Sequence, residues 1–291
     1  MREMSAQICI EFLQKANEMA KTILKDAVKR RKKVTEAIVL ADSVTEQLRM
    51  AGLVQRDFLP SQLPKCRKLR WAATFLPAEW VSGDIYDIAR IDENHIGFYV
   101  ADVVGHGIPA ALLTIFVKQA LVMRQTAGNS YHIFSPAEVM KNLNLRMIEQ
   151  EFSRFQFITC CYCLLNINSL ELTYSRAGHP YPVLIRSRQA PQQLESHGSL
   201  LGVFDRAEFS QQTIQLQPKD KFLLYSDGAE PFFGGFSEAR GFSYSREFCE
   251  IKDLPLDEMT ERFNQLVQDR KSTSSIADDI TLLGLEILQN D

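Results

Sequence analysis

The chain has no run of 18 or more apolar residues, and its opening, MREMSAQICIEFLQKANEMAK, carries a charge every few positions. This predicts a cytoplasmic protein with neither a membrane span nor an apolar signal segment. Charge excess is lacking as well: 33 Lys and Arg against 36 Asp and Glu leave a formal net charge of -3. No broad basic field exists to draw nucleic acid. The cysteines, Cys9, Cys66, Cys160, Cys161, Cys163 and Cys249, form no pair of CxxC steps, and no histidine stands at zinc-finger spacing. They read as reduced, mostly buried thiols. A Walker A glycine-rich loop is missing too, which counts against a nucleotide-phosphate cradle.

Between residues 5 and 55 proline is absent, Gly52 is the sole glycine, and Ala, Leu, Glu, Lys, Arg and Gln dominate. A long helix, or two consecutive ones, is predicted there. Steps of three and four residues join Cys9, Leu13, Ala16, Ala20, Ile23, Ala27, Arg30, Val34, Ala37, Ala41, Val44, Leu48 and Ala51 into a heptad stripe that only Arg30 interrupts. Two readings stay open: a stalk that makes a parallel homodimer, or an amphipathic helix packed on its own domain. The basic run Lys29 to Lys33 could touch a membrane surface, nucleic acid or an acidic partner, and reads first as a solvated helix face. Prolines at 60 and 64 in FLPSQLPKCRK end the helical regime. The chain therefore divides into a helical regulatory or dimerisation segment, 1–57, and a second domain, 58–291.

From Trp71 onward, short apolar runs alternate with turn signals: WAATFLP, HIGFYVADVV, FITCCYCLLNI, LELTYSRAG, YPVLIRS, FSQQTIQLQP, KFLLYSDG and DITLLGLEI. Asn168 and Ser169 between two of these runs suit an antiparallel hairpin. Helices are predicted from Pro109 to about Thr126, from Ser135 to about Glu151, and from about Leu256 to Arg270. The second has Ser135 at the cap, Pro136 at the first helical position and Glu138 to close a capping box. Hairpin strands with interspersed helices argue for an α+β sandwich and against a doubly wound parallel sheet. Phe232, Phe233, Phe236 and Phe242, interleaved with glycines, read as an aromatic loop, either a substrate-facing flap or a packed segment.

Four aspartate segments share one feature, since each lies where an apolar strand meets a turn. They are VSGDIYD with Asp84, GFYVADVVGHG with Asp102, FLLYSDG with Asp227, and ADDITLLGLEI with Asp278 and Asp279. Any one of them alone is most simply a turn residue. Brought together, such carboxylates repel one another and lose hydration unless a cation neutralises them. Oxygen-only donors suit Mg2+ or Mn2+. Two such ions roughly 3.5 to 4 Å apart activate a water and clamp a phosphoryl oxygen, which is the chemistry of phosphate-ester hydrolysis.

In order, VQRDFLP, VSGDIYD, ADVVGHGIPAAL, AGHPYP, LGV, FLLYSDG and ADDITLL resemble the metal-dependent protein phosphatases of the PPM family, specifically the bacterial SpoIIE/RsbU type, over about residues 54 to 287. The resemblance implies an αββα sandwich of two antiparallel sheets flanked by helices, with two Mn2+ or Mg2+ ions in its cleft. It implies a protein-serine/threonine phosphatase acting on a phosphorylated regulatory protein, an anti-sigma factor antagonist of the STAS type. Asp84, Asp102, Asp227 and Asp278 stand at the positions of its metal ligands, and the backbone carbonyl of Val103 at that of its main-chain ligand. Asp279, after the last ligand, reads as a supporting residue. Asp87 lies three residues past Asp84 and could ligate only if the chain turns there, because in a strand it faces the other way. His106 stands four residues after Asp102 where some relatives place a proton donor at two, so it reads as a candidate acid or as a helix-entry residue. His179 in AGHPYP is either a turn residue or part of the rim. An inactive docking scaffold of the same fold and a two-metal phosphodiesterase are the competing readings; the complete aspartate set opposes the first.

Overall fold

The computed structural model describes residues 2–152, 156–187, 189–237, 241–273 and 278–289. The chain forms two units, residues 1–50 and 51–291. Helix α1, Arg2–Asp57, makes up the first unit, and its final turns belong to the second. The side chains of residues 1–10 lie outside the described ones, and Cys9 of the heptad stripe falls among them. From residue 11 to 47 every side chain of α1 is exposed, Leu13, Ile23, Val34 and Val44 included. Among the described residues no helix is long and apolar enough to cross a membrane.

In the second unit the elements run β1 Leu69–Leu76, β2 Asp84–Arg90, β3 His95–Val103, α2 Ile108–Ala120, β4 Arg124–Ala127, β5 Ser130–Ile133, α3 Pro136–Glu149, β6 Ile158–Asn166, β7 Glu171–Ala177 and β8 Val183–Ile185. They continue with β9 Gln192–Gln193, β10 Gln211–Gln215, β11 Lys221–Tyr225, α4 Glu230–Phe233, β12 Gly234–Ser237, β13 Gly241–Tyr244, α5 Arg246–Ile251, α6 Leu256–Thr273 and β14 Ile280–Ile287. Two five-stranded antiparallel sheets result, ordered β1-β14-β11-β8-β9 and β10-β7-β6-β3-β2. Their facing surfaces bury Trp71, Phe98, Cys161, Tyr174, Phe222 and Leu283 in one core. There Phe98 sits edge-on to both Trp71 and Phe222, with centroids 5.0 and 6.0 Å apart.

Each sheet also buries its outer face. One packs against α2 and α3 through Val117, Val139, Leu143, Cys160 and Tyr162. The other packs against α5 and α6 through Phe248, Met259, Phe263 and Leu282. This is the αββα sandwich. Burial on both faces explains why β6, ITCCYCLLN, reads as a continuous apolar run without alternation. Burying each large apolar side chain contributes about 1.5 to 3 kcal/mol, offset by the entropy of ordering it.

Local structure departs from the sequence pattern in three places. The helix expected to reach Thr126 stops at Ala120, where Leu121 turns extended, and a small β4–β5 hairpin around Gly128 follows. Strand β2, DIYDIAR, is absent from the apolar runs read in the sequence because two aspartates mask its period, yet it pairs fully with β3. Phe232 and Phe233 do not form an open loop: they are buried in α4, with Phe233 stacked on Tyr225 at 4.1 Å. Phe236 projects, at 78% exposure, and Phe242 is half-buried. The Ser135 capping box forms as read, Ser135 accepting from the Glu138 N–H and Glu138 from the Ser135 N–H. Cys160, Cys161 and Cys163 are buried thiols, whereas Cys249 is exposed.

Candidate active site

Four of the acidic segments meet at one end of the sandwich because both sheets deliver strand ends there. In the β2–β3 ladder, Asp84 lies directly opposite Asp102, and Asp102 lies opposite Thr159 of β6. Like charges facing across strands destabilise a sheet, so this pair is retained against a local penalty. From the other sheet, β11 ends just before Asp227, and Asp278 and Asp279 lead into the adjacent β14. The Asp227 turn is clipped to β14 at Ser226. Its N–H donates to the Thr281 carbonyl at 3.0 Å, and its Oγ accepts from the Thr281 N–H at 2.9 Å.

Asp279 joins the two sheets. Its Oδ1 accepts from the Ala78 N–H at 2.7 Å and its Oδ2 from the Gly83 N–H at 2.6 Å. Gly83 in turn accepts from the Val103 N–H at 3.0 Å. The turn before Asp84 is thus held by β14 and by the end of β3 together. Asp84 itself is 1% exposed, and its Oδ2 accepts from the Thr281 hydroxyl at 2.6 Å.

The electrostatics follow from this crowding. Burial holds the Asp84 carboxyl well above the usual carboxylate range; the charge of Asp102 adds to it, and hydrogen bonds from Ser226 and Thr281 oppose it. Asp102 is pushed up to about 7 by burial, then by Asp227, Asp278 and Asp279. Asp227 is raised by desolvation from its surrounding loop and then by Asp278. Among the described residues, the charges that raise these three groups are those of neighbouring aspartates. Glu230, which the strand-end pattern does not single out, is raised by burial and then by Asp227, so it borders the same cluster.

The remaining candidates lie elsewhere or play other parts. Asp87 forms an ion pair with Lys118 of α2 at 2.9 Å, on the helix-covered side of its strand. His106 is exposed in the loop between β3 and α2. His179 is buried, its Nδ1 2.8 Å from the Thr159 hydroxyl, and burial followed by the Arg176 charge depresses its pKa to about 3. It is a neutral supporting group beside the residue that faces Asp102. Ser226 and Thr281 clip the acidic turns without being acidic, and Gln55 near the end of α1 bonds both backbone groups of Ser82; the alternation of Asp279 and Thr281 at the mouth of β14 is the one sequence signal pointing to any of them.

Among the described residues no three His, Cys, Asp or Glu side chains close into a ready-made metal cage. The donor set nevertheless fits a hard divalent cation, being all oxygen, mutually repulsive and uncompensated.

The same two-sheet sandwich occurs in solved PP2C and RsbU domains. The chain superposes on the SiaA-PP2C domain of Pseudomonas aeruginosa with a TM-score of 0.69, covering 85% of this chain and 98% of that one at 22% identity. For the RsbU and RsbW domains of Rv1364c from Mycobacterium tuberculosis the TM-score is 0.62, over 79% and 64%, at 26% identity.

The chain belongs to the SpoIIE family, described as Stage II sporulation protein E, which matches residues 92–288. Phosphoserine phosphatase RsbU of Bacillus subtilis (strain 168) is 32% identical over 190 residues, 65% of this chain and 55% of RsbU. Phosphoserine phosphatase RsbP of the same organism is 27% identical over 212 residues, 71% of this chain and 49% of RsbP. The chain spans about half the length of these curated relatives.

Proposed function

We propose that this chain is a metal-dependent protein serine/threonine phosphatase that acts in the cytoplasm on a phosphorylated regulatory protein, an anti-sigma factor antagonist of the STAS type. The observation that carries the reading is the convergence of Asp84, Asp102, Asp227 and Asp278 from two sheets, close enough that their charges act on one another. Two Mn2+ or Mg2+ ions bound there would supply Lewis acidity to a phosphoryl oxygen and activate a water at neutral pH. Asp84, Asp102, Asp227, Asp278 and the Val103 carbonyl are the groups that would hold them.

The chain's own part is preorganisation. Thr281 holds the Asp84 carboxylate in place by donating to Oδ2. Asp279 fixes the Gly83 turn through two backbone N–H groups, and Ser226 fixes the Asp227 turn. Residues 1–57 form the regulatory segment, and the exposed stripe of Leu13, Ile23, Val34 and Val44 supports a homodimer built through α1.

The test compares hydrolysis of p-nitrophenyl phosphate and of a serine-phosphorylated STAS protein with Mn2+ and with EDTA, beside a cyclic dinucleotide. Metal-dependent turnover of the phosphomonoesters alone is expected. Cleavage of the dinucleotide would favour a phosphodiesterase, and no turnover of any substrate would favour an inactive docking scaffold.

A further inference from the structure

A cavity of about 680 Å³ opens between the end of α3 and the loop that follows Leu200. Met147, Phe152, Leu200 and Val203 give it apolar walls, and among the described residues its charged lining is Glu151 and Asp205. Its floor continues the sheet that carries Asp102. Val103 pairs with Ile158 of β6, and Ile158 exchanges two backbone hydrogen bonds with Leu201, at 3.2 and 3.1 Å. One residue further out, the Val104 N–H donates to the carbonyl of Phe157, which lines the cavity, at 3.1 Å. Two strand spacings therefore separate Leu201 from Val103, so the cavity begins about 10 Å from the acidic cluster.

The wall on the loop side is rigidly built. Asn144 of α3, 2% exposed, accepts from the Gly202 N–H at 2.8 Å and donates to the Phe204 carbonyl at 3.0 Å. Both neighbours of Val203 are thus fixed, and Val203 is presented at the cavity with 44% of its surface in solvent. On the helix side, Glu151 follows the C-cap Gln150 of α3 with φ 46, in the left-handed region that glycine usually fills at this place. A carboxylate is kept at the cavity in a backbone conformation that glycine would adopt without strain.

We infer that this cavity is a specificity pocket for the phosphoprotein substrate, taking an apolar side chain into the wall of Met147, Phe152, Leu200 and Val203 while Glu151 and Asp205 attract an adjoining lysine or arginine. Two observations select that occupant: continuity of the cavity floor with the strands that carry Asp102 and Val103, and the acidic lining, which is complementary to a basic residue and opposed to an acidic one. An extended chain advances about 3.3 Å per residue, which puts the apolar residue about two to four positions from the phosphoserine. The inference rests on the phosphatase reading proposed above and adds to it how the substrate is chosen.

The experiment offers the full chain, with Mn2+, a peptide library randomised on both sides of a central phosphoserine, and identifies the dephosphorylated sequences by mass spectrometry. Turnover of p-nitrophenyl phosphate is measured in parallel, and folding of each variant by circular dichroism. Peptides with Leu, Ile or Met at a fixed spacing beside Lys or Arg should be cleaved about tenfold faster than those with Ala and Gln there. Val203→Glu should abolish the apolar preference. Glu151→Gln with Asp205→Asn should abolish the basic preference and keep the apolar one. A parent that cleaves p-nitrophenyl phosphate and shows neither preference overturns the inference and leaves the phosphatase reading standing, as does a folded Val203→Glu variant with the parent's apolar preference. A parent that cleaves neither the library nor p-nitrophenyl phosphate overturns both.

Discussion

Thr281 and Asp84 stand 197 positions apart in sequence and share a 2.6 Å hydrogen bond, the hydroxyl donating to Oδ2 of a fully buried carboxylate. It joins β14 of one sheet to β2 of the other at the point where both deliver acidic residues. Thr281→Val keeps the shape and removes the donor. A hydrogen bond to a charged group is worth about 1.5 to 3 kcal/mol, so Mn2+-dependent kcat/KM is expected to fall by roughly tenfold or more. Because this bond opposes the upward shift of Asp84, the acid limb of the pH profile should also move to higher pH. An unmoved profile would detach Thr281 from the chemistry.

Metal-free stability should decline as pH rises. A carboxyl whose folded pKa is raised binds its proton more tightly in the native state. That stabilisation is present at acid pH and is lost between the ordinary value of 3.8 and the folded value of about 7 for Asp102. The loss is on the order of 2 to 4 kcal/mol over that window. Asp84 is shifted in the same direction and adds to it. Melting temperatures in EDTA from pH 4 to pH 8 should show the fall, and Asp102→Asn should flatten it. A melting temperature that climbs with pH over this range contradicts the assignment.

Added Mn2+ should reverse that trend. The cation competes with protons for the same carboxylates, so its stabilisation grows with pH and reaches about 2.7 kcal/mol at a hundredfold excess over Kd. Asp227→Ala removes one arm of the cluster from an exposed turn and should leave the EDTA melting curve nearly unchanged. Its Mn2+-dependent turnover should drop more than about tenfold; retention of most activity would show that Asp227 does not ligate.

Gly228→Ala tests how closely the two acidic turns are fitted. A Cβ there would lie 2.2 Å from the Asp279 carbonyl oxygen and 3.2 Å from the Asp278 Cβ. Backbone cannot yield as a flexible side chain does, so the Asp227 turn and the entry to β14 must separate. Weaker Mn2+ binding and a lower melting temperature in EDTA are both expected.

Val44→Asp with Leu48→Asp places two carboxylates on the α1 stripe. If that stripe is a dimer seam, sedimentation should show the association abolished, since unpaired charges there would be desolvated. An unchanged mass and an unchanged phosphatase rate would remove α1 association from the functional account.

Much of the sandwich was legible because its strands are bounded by turn residues and its helices by strong signals, as at Ser135, Pro136 and Glu138. The acidic corners were legible because Asp84, Asp102, Asp227 and Asp278 each break an apolar run beside glycine or at a strand mouth. What did not show was anything carried by ordinary residue types through long-range contacts. Gln55 looks like any helix-forming residue, Ser226 and Thr281 like any polar strand neighbour, and Glu230 like a surface acid until α4 packs it beside Asp227. Strand β2 was hidden for the reverse reason, as Asp84 and Asp87 interrupt the pattern that reveals a strand.

The pairing of β2 with β3 also sets a condition on how the molecule can fail. Their connection is short, and Asp92 within it accepts from the Asn94 and His95 N–H groups at 2.7 Å, fixing where the return strand begins. From there the ladder counts residue by residue from Arg90↔Ile96 to Asp84↔Asp102. A slip of one position would turn Ile85 and Ile88 away from the cores they fill and part the two aspartates at the same time. The connection therefore works as a ruler whose zero lies far from the chemistry, and assembly of the acidic pair is proofread by the packing of the sandwich itself. Chains that are soluble and cooperative in melting should already carry a correctly indexed site, so that defects in activity without defects in folding will concentrate in the turns and not in the strands.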